Sequence, residues 1–162
     1  MSEQKLGILG GMGPQATQVF YQFVLDHTDA ERDQDHLPAV ILSDTKIPDR
    51  TAAILSGETE ELYQRLLKDA KLLETCGCTA IAIPCNTSHY FADRLQGDVN
   101  VPIIHMIREA AAALAAQGKK RPGILGTDGT IQSGLYQKEC AALGMEAVAP
   151  DEETQKHRWS GW

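Results

Sequence analysis

A chain of 162 residues, 43% hydrophobic and 23% charged, can bury one good core as a soluble globular domain does. Its 22 acidic against 15 basic residues, a formal net charge of -7, exclude a nucleic-acid binder that works through a clustered basic face. A membrane span is excluded as well, because no run of about 20 apolar residues occurs.

The amino terminus, Met1-Ser2-Glu3-Gln4, is too polar to open a signal peptide, and the apolar run that follows is too short, so a cytoplasmic protein is expected. Cys76, Cys78, Cys85 and Cys140 are then reduced thiols. From Lys5 onward, short apolar runs alternate with helix-like segments, the rhythm of β-α-β units. "KLGILG" (5–10) reads as a strand. Residues 15–28 follow as a helix, with Ala16, Val19, Phe20, Phe23 and Val24 at helical spacing. "PAVILSD" (38–44) reads as a second strand, and "TKIPDRTAAILSG" (45–57) as a turn-rich segment. Thr59 opens a helix whose Leu62, Leu66, Ala70 and Leu73 share one face. "TAIAIP" (79–84) and "VPIIH" (101–105) are the third and fourth strands. Their near-continuous hydrophobicity suits a parallel sheet covered on both faces. A helix over 108–118 stops at Gly118, a fifth strand begins in "PGILG" (122–126), a helix covers 130–141, and "MEAVAP" (145–150) is a sixth strand. The expected fold class is α/β, three layers with a parallel sheet in the middle.

The stretch "GILGGMGPQATQVFY" (7–21) aligns without a gap on "GILGTDGTIQSGLYQ" (123–137), placing Thr17 on Ser133 and Phe20 on Tyr136. This echo points to two similar lobes. The first, residues 1–105, carries a cysteine at a strand end; the second, 106–162, is only partial. The counterpart of Cys85 in the second lobe falls beyond Trp162, and "DEETQKHRWSGW" (151–162) reads as an irregular polar tail, so a second lobe cut short is expected.

Reactive groups in open α/β sheets collect beyond the carboxyl ends of the strands, where Cys85 lies. Backbone N–H groups at the start of a following helix would stabilise a thiolate there, and Asn86 and Thr87 offer amide and hydroxyl donors for a carboxylate. The alternative is a small buried cysteine beside two helix-capping residues. "GGMGP" (10–14) fits a dinucleotide turn only loosely, as Gly11, Gly13 and Ala16, and suits a small carboxylate better. Asp49 and Arg50 also lie at the carboxyl edge, where an arginine clamps a carboxylate or simply forms an exposed ion pair. Zinc on Cys76, Cys78, Cys85 and His89 fails on distance, since a strand separates the first two from the others by roughly 15–20 Å. Cys140 reads as a packing residue, and His105 as an edge residue or a structural hydrogen bonder.

Together "GGMGPQAT" (10–17), "IPDRT" (47–51), "PCNTSH" (84–89) and "GTDGT" (126–130) resemble the aspartate/glutamate racemase family, the pyridoxal-independent amino acid racemases, and within it the aspartate racemases most. The resemblance covers about residues 5–155. It implies two facing α/β lobes, no cofactor, no metal, and a pair of cysteines on opposite sides of the substrate Cα. Cys85 would be the first of that pair. Asn86 and Thr87 would bind the α-carboxylate, Arg50 the distal carboxylate, Met12 and its neighbouring glycines would line the pocket, and Thr127 and Thr130 would reach in from the second lobe. A small dicarboxylic amino acid is the implied substrate and a homo-oligomer the implied assembly. The family's second cysteine has no match here, because Cys140 sits on an expected helix. Weak or absent racemase activity is therefore expected. The other readings are a non-catalytic binder of acidic amino acids, or an isomerase or amidase with Cys85 as nucleophile and His89 as its base.

Overall fold

A computed structural model describes residues 4–158. Its central strand is β1 (Leu6–Gly10), flanked by β2 (Ala39–Ser43) and β3 (Ala80–Ala82), with β4 (Ile103–Ile104) outside β3. All pairings are parallel, and Leu6 stands opposite Ala39 on one side and Ala80 on the other. Parallel neighbours need crossovers, supplied by α1 (Pro14–Asp26) between β1 and β2, and by α3 (Glu60–Thr75) between β2 and β3. A 3-10 turn (Thr87–Phe91) and α4 (Ala92–Asp98) lead on to β4.

Alternation along β1 divides its side chains between two layers. Leu9 joins a core with Leu62, Leu66, Ala70 and Leu73 of α3 and Leu95 of α4. Leu6 and Ile8, with Ala82, face Phe20, Tyr21 and Val24 of α1. Each leucine buried this way contributes about 2 kcal/mol. The expected parallel sheet between helical layers is thus present. Among the described residues no helix is long and apolar enough to cross a membrane.

Several elements differ from their sequence reading. The segment read as turn-rich contains α2 (Arg50–Ser56), which starts where Asp49 Oδ1 accepts the Ala52 N–H at 2.7 Å. The helix expected over 108–118 is α5 (Met106–Ala116), capped by His105 Nδ1, which accepts the Arg108 N–H at 3.3 Å. The helix expected over 130–141 is two, α6 (Asp128–Gln132) and α7 (Leu135–Ala142). Gly134 between them is left-handed at φ 66°, which turns the chain out of one helix before the next begins.

The strands expected over 122–126 and 145–150 do not form. They meet in one parallel bridge, Gly123 with Val148, where the Ile124 N–H donates to the Val148 carbonyl at 2.8 Å. Two segments that pair only with each other make a marginal sheet, and Leu125 is left 67% exposed. The expected irregular tail is also corrected. Asp151 Oδ1 accepts the Thr154 N–H at 2.8 Å and begins α8 (Glu152–Arg158), which the buried Gln155 ties to the Gly126 carbonyl at 2.8 Å. Trp159 and Trp162, the two tryptophans of that tail, lie outside the described residues.

Candidate active site

Beyond the carboxyl ends of β1, β2 and β3 lies a cavity of about 370 Å³. Its lining brings together Met12 from the turn after β1, Arg50 from the start of α2, and Cys85, Asn86 and Thr87 from the loop after β3. Thr127 and Thr130 complete it from the turn into α6. The glycines beside Met12 stay out of the lining. The Gly11 N–H donates instead to Thr17 Oγ1 at 2.9 Å, so that amide is not open to a carboxylate.

Cys85 is partly exposed and is the one cysteine among the described residues of the cavity wall. Cys78 and Cys140 are buried elsewhere, and burial pushes both thiols up. Cys76 is exposed at the far end of α3. The fully buried Ser88 hydroxyl lies within reach of two sulfurs, Met12 Sδ and Cys85 Sγ. Nothing in the sequence marks Ser88 beyond its place in the motif.

His89, the base that a nucleophilic cysteine would need, is not available to Cys85. Its Nδ1–H donates to the Cys85 carbonyl at 2.8 Å and its Nε2 accepts the Met106 N–H at 3.0 Å. Both ring nitrogens are spent on backbone, and burial pushes the imidazole pKa down, which keeps the ring neutral. His89 therefore ties the β3 loop to α5. His105 packs edge-on against it, with ring centroids 4.9 Å apart.

The Thr87, Thr127 and Thr130 hydroxyls form a triangle with sides of 3.1, 3.0 and 3.1 Å. Each can donate once and accept once around it. This ring fastens α6 to the loop after β3. Gly129 permits the approach, since a Cβ there would stand 2.9 Å from Thr51 Oγ1 and 3.0 Å from Thr87 Cγ2. Asn86 is held from the same side, as its Oδ1 accepts the Tyr136 hydroxyl of α7 at 2.6 Å. Sequence reasoning noted Tyr136 only as the match of Phe20, and nothing local pointed to Asn86 as its partner.

Arg50 donates from Nη1 to the Pro48 carbonyl at 3.1 Å, while its buried Nε has no partner among the described residues. The cavity lining thus includes a thiol, an amide, hydroxyls and an arginine side chain.

Proteins similar to this chain are known. The chain is 33% identical over 150 residues to the broad specificity amino-acid racemase RacX of Bacillus subtilis, covering 90% of this chain and 64% of that protein. Aspartate racemase from Picrophilus torridus superimposes with a TM-score of 0.83 at 33% identity, over 95% of this chain and 65% of that one. An aspartate racemase homologue from Pyrococcus horikoshii gives a TM-score of 0.78 at 27% identity, over 95% and 67% respectively. The chain therefore spans about two thirds of the length of these relatives. Residues 9–158 match the Asp/Glu/hydantoin racemase family, and the chain belongs to that family.

Proposed function

We propose that this chain serves an amino acid racemase of the aspartate/glutamate type, acting on a small dicarboxylic amino acid by cofactor-independent proton transfer at Cα. The observation that carries this reading is the presence of Cys85 and Arg50, a thiol and a guanidinium side chain, in the lining of one cavity. A guanidinium in a cavity wall attracts a carboxylate by charge and by parallel N–H donors. Arg50 holds the distal carboxylate and Asn86 the α-carboxylate end, where Thr87 joins by exchanging one bond of the threonine ring for a carboxylate oxygen, and Met12, Thr127 and Thr130 shape the rest.

In the chemical step the Cys85 thiolate takes the Cα proton and becomes a thiol, while the electron pair left on Cα spreads into the α-carboxylate. Inversion needs a second acid on the opposite face. Cys85 is the single thiol among the described lining residues. With Cys85 as acid and base on one face, this reading has hydrogen exchange at Cα outpace inversion. The same observation favours a second reading, a binder of acidic amino acids with no chemistry at Cα.

Calorimetric titration tests the substrate class. Aspartate or glutamate should bind at least tenfold more tightly than alanine, and Arg50→Ala should erase the preference. Equal affinity for alanine would refute the assignment.

A further inference from the structure

We propose that Tyr136 is a positioning residue: its phenol fixes the Asn86 side-chain amide so that the NH2 end, and not the carbonyl, faces the cavity. The two residues lie in different halves of the chain, Tyr136 on α7 and Asn86 in the loop after β3. The 2.6 Å separation is that of an O–H···O hydrogen bond and is short for N–H···O, so the phenol donates and Oδ1 accepts. With the amide reversed, the phenol proton would lose this acceptor, and no other bond of the hydroxyl occurs among the described residues. Burial pushes the phenol pKa up, with Cys140 adding to it, which keeps the proton in place across the neutral range.

One hydroxyl thus decides what Asn86 offers. Held this way, the amide shows two N–H donors and no acceptor, which suits a carboxylate oxygen and repels the edge of an ammonium. Asn86 is next to Cys85 in the chain, so the held amide sets which end of an amino acid lies beside the thiol. The aligned position in the first half is Phe20, which has no hydroxyl to do this. The consequence for substrate rests on the racemase reading; the orientation of the amide does not.

Two measurements on the full chain test this. In the proton–nitrogen spectrum of labelled protein, the Asn86 side-chain amide pair is identified by its loss in Asn86→Asp. Tyr136→Phe should move that pair while the backbone spectrum stays folded, and should weaken aspartate binding about fivefold. In an Asn86→Ala background, Tyr136→Phe should have no further effect on aspartate affinity, because the two changes act through one contact. A purely structural tyrosine would instead weaken binding by the same factor in both backgrounds. An Asn86 pair that does not move in Tyr136→Phe overturns the proposal. If the unmodified chain binds no aspartate, the racemase reading falls, and the amide resonances still decide the role of Tyr136.

Discussion

The Ser88 hydroxyl stands 3.2 Å from Cys85 Sγ and 3.1 Å from Met12 Sδ, fully buried. It carries one proton for two weak acceptors, so it strengthens its bond to whichever sulfur gains charge. Ser88→Ala should slow alkylation of Cys85 by iodoacetamide at neutral pH about threefold to tenfold, with Ser88→Thr restoring part of the rate. Peptide mass spectrometry reads the rate, and the exposed Cys76 serves as the internal control. An unchanged Cys85 rate would leave Ser88 a packing residue.

Gly129→Ala should be among the more damaging single-methyl changes. The added carbon would press on Thr51 and Thr87 at 2.9–3.0 Å, the seam where α6 closes the cavity. Overpacking of this kind costs about 1–3 kcal/mol. Urea unfolding measures the loss, and aspartate affinity should fall with it because the threonine ring opens. Alanine at the exposed Gly57, which has no atoms to meet but is left-handed at φ 79°, gives a strain-only comparison.

A buried acid should set the neutral-pH stability. Asp69 of α3 is 5% exposed, and burial, with the Asp44 carboxylate second, pushes its pKa up to about 6. Asp44 goes the other way, held down by its ion pair with Arg65. With a folded value above the unfolded one, Asp69 favours the folded state at low pH and loses that contribution as pH rises from about 4 to about 6. Asp69→Asn should therefore add up to about 3 kcal/mol at pH 7 and almost nothing at pH 4. Denaturation at the two pH values checks the sign. A gain that is equal at both, or larger at pH 4, would contradict it.

Much of the fold up to β4 was legible because its signals are local. The apolar β1, the one-face leucines of α3 and the glycine turn between β1 and α1 each announce themselves within a few residues. That these motifs line one cavity was legible for a related reason. Polar motifs placed after apolar runs end up at the carboxyl edge of a parallel sheet, and that edge is one place. What the chain hid depends on distant partners. The runs at 122–126 and 145–150 have strand composition, but a strand needs neighbouring strands, and among the described residues the two meet in a single bridge. The α2 helix was masked by the Pro, Thr and Gly around it, although Asp49 was a readable cap. Tyr136 and Ser88 matter through contacts that spacing does not reveal, one reaching 50 residues back to Asn86 and the other touching Met12 from 76 residues away.

The most direct test of the reading follows hydrogen at Cα. L-aspartate is incubated with the chain in deuterated water, and both deuterium content and chirality are measured. Deuterium should enter L-aspartate with far less D-aspartate formed, and Cys85→Ala should slow that entry about a hundredfold or more. Exchange that continues undiminished in Cys85→Ala, or its absence in the unmodified chain, would contradict the account.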